Sequence, residues 1–137
     1  MEGTNLTVEA EKQKPTPTET ELERDFTRLF EETAGRVFVS WSSMNIDRTE
    51  TLYRACKNAR RVLVPDLFCM MVLMRLKGLA NIPHPEQDGG NLCAVVTTRM
   101  RNQVERLGEP DIVEYLKKHW AAIGAYRLAA TPRKWVK

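Results

Sequence analysis

Residues 37–65 constrain the fold more than any other part of the chain. They read VFVSWSSMNIDRTETLYRACKNARRVLVP, in which the apolar run Val37–Val39 leads into a polar turn. A segment with apolar residues at helical spacing follows the turn, and a second apolar run, Val62–Val64, comes after that segment. This order predicts a β-turn-α-β unit. Strands that alternate with helices favour a parallel sheet with right-handed crossovers.

A further helix is expected before this unit. Thr18 and Glu21 fit a capping box that marks its start, and Gly35 is expected to end it. The expected buried face of this helix carries four apolar residues at helical spacing: Leu22, Phe26, Leu29 and Phe30.

After the unit, Asp66 is the expected N-cap of a helix over 67–76. This helix is apolar nearly all round and must be covered on more than one side, so it is expected to lie in the core, with packing under a neighbouring domain as the alternative. The remaining expected elements are a surface loop over 78–91, a strand over 92–96, and helices near 98–107, 111–122 and 125–130. Trp120 and Trp135 are expected to be packing residues.

The length of 137 residues is about that of one domain, large enough to bury a core without metal or disulfide staples. Pro15 and Pro17 predict an entering segment and exposed connector over 1–18, followed by an α/β body over 19–137. The expected architecture is a three-layer, Rossmann-like α/β domain with a mainly parallel sheet flanked by helices.

The cysteines and the apolar runs indicate a cytoplasmic protein with no membrane partner. Cys56, Cys69 and Cys93 include no C-x-x-C pair, so they are expected to be reduced core thiols. No 18-residue apolar run occurs, and the first residues lack the pattern of a signal peptide.

Neither a metal site nor a nucleophilic site is expected within this chain. His84 and His119 have no His, Cys or Asp partner at ligand spacing, so no protein-bound metal or cofactor is predicted. The serines of the polar turn are not surrounded by a G-x-S-x-G pattern.

Charge is unevenly spread along the sequence. Residues 1–34 contain nine acidic and four basic residues, a net charge of −5, whereas residues 35–137 contain nine acidic and seventeen basic residues, a net charge of +8. The basic part is a candidate surface for a polyanion such as RNA. Arginine-rich helix faces that are merely solvated are the alternative.

The polar turn between the first apolar run and the helix is the candidate binding site. Ser40, Ser43, Asn45 and Arg48 combine hydroxyl and amide donors with a guanidinium at a helix N-terminus, an arrangement that suits a phosphate. Ordinary helix capping by Ser43 or Asn45, with Arg48 solvated, is the alternative interpretation.

The same segment resembles the β-CASP domain of metallo-β-lactamase-fold nucleases, the group that includes ribonuclease J and the cleavage and polyadenylation endonuclease. That domain carries an aromatic-small-Ser-Asn-Ile-x-Arg motif where the RNA backbone passes toward the metal site. The matching residues are Trp41, Ser42, Ser43, Asn45, Ile46 and Arg48, with Met44 as an extra residue. At the N-terminus, Glu2, Gly3 and Thr4 are similar to the acidic motif of the same group.

The resemblance implies one domain of a zinc-dependent phosphodiesterase. The H-x-H-x-D-H metal motif of the group is absent from this sequence, which implies that a metallo-β-lactamase domain of the same parent chain is its partner. The implied substrate-binding residues are Ser42, Ser43, Asn45 and Arg48, and the implied outer-sphere acid is Glu2. The alternatives are a stand-alone Rossmann-like phospholigand-binding module and a protein-interaction module.

Overall fold

The computed structural model describes residues 16–79, 82–84, 91–94, 96–108, 110, 112–114 and 135–136. Its helices are α1 (Glu19–Glu32), α2 (Ile46–Asn58), α3 (Leu67–Arg75) and α4 (Thr98–Leu107). Its strands are β1 (Val62–Leu63) and β2 (Trp135–Val136). Across these ranges the protein is mainly helical.

The short strand β1 lies between two neighbours. Its residues Val62 and Leu63 pair in parallel with Trp135 and Val136. On its other side, the backbone N–H of Leu63 donates to the carbonyl of Asn91 at 2.9 Å, and the N–H of Cys93 donates to the carbonyl of Leu63 at 3.0 Å. The strand is thus paired on both edges, and the side chain of Leu63 is completely buried.

The predicted three-layer α/β architecture with a mainly parallel sheet flanked by helices is wrong. In the described part of the chain the sheet consists of two strands of two residues each, and Leu92 adds only an isolated bridge to Leu63. Val37 is a lone bridge residue, and Phe38 and Val39 belong to no strand. An apolar run such as Val37–Val39 can lie on a half-buried surface without pairing with another strand, because strand preference reflects side-chain packing more than backbone conformation.

Helix α1 begins as predicted but ends differently. The Thr18 N–H donates to Glu21 Oε2 at 2.8 Å, and the Glu21 N–H donates to Thr18 Oγ1 at 3.3 Å, which confirms the capping box. The helix ends at Glu32 and Thr33 is its C-cap, so Gly35 is not the residue that terminates it. Phe30 is fully buried, whereas Leu29 is 47% exposed, so the predicted buried face was wrong at Leu29.

Helices α1 and α2 lie side by side and run in the same direction. Near the start of both helices, Glu19 contacts Arg48 and Thr51. One turn further along α1, Glu23 Oε1 accepts a hydrogen bond at 3.1 Å from Asn58, the last residue of α2. The segment over 33–45 must therefore return along the length of α2, and this return delivers the polar turn to the N-terminus of α2.

The end of α2 forms a Schellman motif with an arginine in the left-handed position. The Arg60 N–H donates to the Lys57 carbonyl at 3.1 Å and the Arg61 N–H donates to the Cys56 carbonyl at 2.8 Å. Arg60 adopts φ +55°, a conformation that usually favours glycine because it lacks a Cβ atom. The backbone at Arg60 is consequently strained.

The buried side chain of Arg61 joins this motif to the end of α1. Its guanidinium donates to the carbonyl of Gly35 at 2.8 Å through Nη1 and to the carbonyl of Thr33 through Nη2. A cation is favourable at this place because the carbonyl end of a helix carries partial negative charge. No pattern in the sequence predicted this contact.

Helix α3 contributes one face to the core. Leu67, Cys69, Met70 and Leu73 are buried, but Phe68 is 55% exposed. The expectation that this helix lies in the core is therefore right for one face only. Helix α4 begins and ends at the predicted residues, and no described helix is long and apolar enough to cross a membrane.

Several expectations fall outside the described residues. They concern residues 1–15, which include Glu2, and His119 and Trp120. Most of the expected loop over 78–91 and of the last two expected helices also lies outside, as does the side chain of Trp135.

Replacing Arg60 with glycine is expected to stabilise the protein by about 0.5–1 kcal/mol. Relief of the left-handed strain is worth about 1–2 kcal/mol, and the greater freedom of glycine in the unfolded chain offsets about half of it. Chemical denaturation measures the change in the free energy of unfolding. Arg60→Ala is the matched control, because it removes the same charge and keeps the strain; equal stabilisation by both variants would contradict this explanation.

Candidate functional site at the amino ends of α2 and α3

The polar turn before α2 is closed by its own hydrogen bonds. The Asn45 N–H donates to the Ser42 carbonyl at 2.9 Å, and Asn45 Oδ1 accepts from the Arg48 N–H at 3.0 Å. Ser42 Oγ accepts a long hydrogen bond from the Met44 N–H at 3.4 Å. Asn45 is therefore the N-cap of α2, as the capping interpretation expects for this residue.

Trp41 is fixed on the first turn of α2 through the fully buried hydroxyl of Thr49. The indole Nε1–H donates to Thr49 Oγ1 at 3.0 Å, and the same hydroxyl donates to the Asn45 carbonyl at 3.0 Å. Thr49 has no exposed surface, so both hydrogen bonds are shielded from water. The orientation of Trp41 is consequently set by the helix that follows the turn.

An open cavity of about 230 Å³ lies where the polar turn meets the chain after β1. One wall comes from the segment that leads into α2, and the other comes from the segment that leads into α3. The lining residues are Val39, Ser40, Trp41, Ser43, Val64 and Asp66. Two segments that are distant in sequence thus form one concave surface.

Asp66 provides the carboxylate of this cavity. Its Oδ1 accepts from the Cys69 N–H at 2.7 Å, which confirms Asp66 as the N-cap of α3. From the sequence, Asp66 was predicted only as an N-cap. Its position two residues after the apolar run Val62–Val64 was the available signal, because polar side chains that follow a buried strand collect at the strand's carboxyl end.

Arg48 does not line the cavity and instead pairs with α1. Its Nη2 donates to Glu19 Oε1 at 3.1 Å, and its Nε lies 3.3 Å from each Glu19 carboxylate oxygen. Thr51 Oγ1 donates to Glu19 Oε2 at 2.6 Å. The Arg48 and Thr51 hydrogen bonds lower the pKa of Glu19. We call these three residues the Glu19 clamp.

The predicted site residues are therefore divided between two places. Ser43 lines the cavity, Ser42 and Asn45 are used within the turn, and Arg48 belongs to the Glu19 clamp. Glu2 lies outside the described residues. The pairing of Arg48 with a residue 29 positions earlier has no local sequence signal, which is why the prediction grouped Arg48 with the turn.

The two buried cysteines are poorly suited to nucleophilic chemistry. Burial raises the pKa of Cys56 to about 12 and that of Cys69 to about 11, so both thiols are protonated at neutral pH. Neither is in a disulfide bond, and their burial confirms the predicted core position for these two residues, whereas Cys93 is only partly buried. The described residues contain no group of three or more His, Cys, Asp or Glu side chains that could hold a metal ion.

Replacing Glu19 with glutamine is expected to destabilise the protein by about 1 kcal/mol or less at neutral pH, because the partners remain partly solvated. The folded state lowers the pKa of Glu19 below its ordinary value of 4.5. The clamp's contribution to stability is thus present above pH 4.5 and is lost as the pH falls through the lower pKa of the folded state.

Urea denaturation of both proteins across this pH range measures the difference in the free energy of unfolding. Asp25→Asn is the matched control, since it removes an acid of α1 that, among the described residues, pairs with exposed Arg28. A difference between Glu19→Gln and the unmodified protein that persists unchanged at low pH would contradict an ionic contribution.

Comparison with protein-family models, curated proteins and solved structures gives no match. The interpretation of the cavity therefore rests on its own residues and on the resemblance of the turn to the β-CASP motif. That resemblance stays a prediction.

Proposed function

We propose that this chain is the substrate-cleft domain of a metal-dependent hydrolase that acts on RNA or another phosphodiester. The chain positions the nucleic-acid backbone and is not itself catalytic. The observation that carries this proposal is the open cavity, which the motif residues Trp41 and Ser43 line together with Asp66. A nucleic-acid strand that crosses the turn meets hydroxyl donors and an indole at this place.

The charge distribution supports a polyanionic partner. Residues 35–137, which include all the described residues of the cavity wall, carry a net charge of +8. Association of a strand with such a surface is favoured over long range. Three observations support the proposal: this charge, the cavity, and the resemblance of residues 37–66 to the β-CASP domain. None of them requires a layered sheet.

The proposed chemistry is divided between two domains. Zinc would belong to a metallo-β-lactamase domain of the same parent chain, where it would supply a metal-activated water for attack at phosphorus. In this chain, the Ser43 hydroxyl donates to the strand, Ser42 and Asn45 maintain the turn, and Arg48 holds α2 on α1. Glu2 is the proposed outer-sphere acid, and the proposed compartment is the cytoplasm.

The size of the cavity argues against a site for a free phospholigand. Pockets that enclose a whole small-molecule ligand measure about 300–1,000 Å³. The cavity of about 230 Å³ is smaller and open to solvent. It suits one unit of a longer strand that continues over the surface.

The purified chain is expected to bind single-stranded RNA with an affinity that falls steeply as salt increases. Each neutralised phosphate contributes about −0.7 to the slope of log affinity against log salt concentration for a single strand. Fluorescence anisotropy with a labelled oligonucleotide measures this slope. A slope near zero would contradict a polyanion surface, and zinc-dependent cleavage of the RNA by this chain alone would contradict the non-catalytic role.

Replacing Ser43 with alanine is expected to weaken RNA binding about 2- to 10-fold, the equivalent of one hydrogen bond. Ser43 makes no described hydrogen bond that stabilises the turn, so the free energy of unfolding is expected to change little. Thr20→Ala, at an exposed position of α1, is the control for loss of a hydroxyl. Unchanged RNA affinity in Ser43→Ala would place the strand elsewhere.

A further inference from the structure

We propose that the cavity recognises the ribose of RNA, and that the Asp66 carboxylate accepts a hydrogen bond from the 2′-hydroxyl group. This inference rests on the proposed function and deepens it, because it names RNA rather than DNA as the substrate class. It follows from the residues that line the cavity and from the hydrogen bond that Asp66 already makes.

The Asp66 carboxylate has acceptor capacity beyond its capping role. An ionised carboxylate offers about four lone-pair sites on two oxygens. The structure describes one hydrogen bond to this group, from the Cys69 N–H to Oδ1. Oδ2 is the second acceptor, and Asp66 lines the cavity. A ligand group placed there must therefore be a hydrogen-bond donor.

The negative charge of Asp66 favours a neutral hydrogen-bond donor as the ligand group beside it. A phosphate next to Asp66 would be repelled, whereas a neutral hydroxyl is attracted as a donor. The Ser40 and Ser43 hydroxyls also line the cavity, and each can either donate or accept. A ribose unit fits this set because it offers hydroxyl donors and keeps its phosphates outside the sugar ring. The 2′-hydroxyl is the group that distinguishes RNA from DNA.

The apolar part of the lining fits the same unit. Val39 provides an aliphatic wall, and Trp41 provides an indole that is already fixed by Thr49. An aromatic side chain held in one orientation suits packing against a sugar or a base, since little freedom is lost on binding. The volume of about 230 Å³ limits the cavity to one such unit.

Asp66→Asn separates the recognition role of this residue from its capping role. Asparagine is about as good an N-cap as aspartate, because its Oδ1 can accept from the Cys69 N–H. The position of Oδ2 is then taken by an NH₂ group, which is a donor. The variant keeps the start of α3 and loses the acceptor that faces the 2′-hydroxyl.

The test compares the purified chain and its Asp66→Asn variant on single-stranded RNA and DNA of the same sequence, at one salt concentration. The unmodified chain is expected to bind RNA about tenfold more tightly than DNA, the effect of one hydrogen bond to a charged group. In Asp66→Asn this RNA-to-DNA ratio is expected to fall close to one.

Two controls make the result specific. Asp47→Asn removes the same charge from an exposed position of α2 that does not line the cavity, so it is expected to leave the ratio unchanged. RNA with 2′-fluoro substituents lacks the donor, and the unmodified chain is expected to bind it like DNA. This second control needs no variant and therefore holds even if Asp66→Asn folds poorly.

Each outcome decides between the two proposals. Salt-dependent binding of RNA and DNA with equal affinity would overturn the ribose inference and leave the proposed function standing. An RNA preference that survives in Asp66→Asn, or that survives with 2′-fluoro RNA, would also overturn the inference. Absence of salt-dependent binding to either nucleic acid would overturn the proposed function, and the inference with it.

Discussion

The parallel packing of α1 against α2 is the arrangement on which the rest of the structure depends. Arginine side chains hold it at both ends: Arg48 binds Glu19 near the start of α1, and Arg61 binds the carbonyls of Thr33 and Gly35 after its end. Two helices that run in the same direction need a connection that returns along their full length. The segment over 33–45 is that connection, and its path brings the polar turn to the amino end of α2.

The candidate site is a consequence of this return path. The turn alone offers a ligand few polar groups, because the side chains of Asn45 and Ser42 already accept hydrogen bonds from nearby backbone N–H groups. A concave surface exists only because the chain after β1 reaches the same place and starts α3 there, with Asp66 as its N-cap. The site therefore depends on the burial of β1 as much as on the motif residues of the polar turn.

The sequence predicted those features that depend on neighbouring residues. The capping box at Thr18, the N-cap Asp66 and the bounds of α4 each depend on contacts within four positions. The predicted sheet was wrong because a strand must pair with another strand. An apolar run such as Val37–Val39 does not show whether such a partner strand is present. The Glu19 clamp and the Arg61 contacts join residues 26 to 32 positions apart, and no local pattern encodes them.

The shared direction of α1 and α2 has a further electrostatic consequence. Each helix carries about half a positive charge at its amino end. The amino ends of α1 and α2 lie together, and that of α3 lies across the cavity from the turn that starts α2. Three helix dipoles thus raise the potential in one region, where the first turns and the N-cap carry Glu19, Asp47 and Asp66. These acids lie where the helix dipoles favour negative charge, so each carboxylate offsets part of the positive field at the start of its own helix.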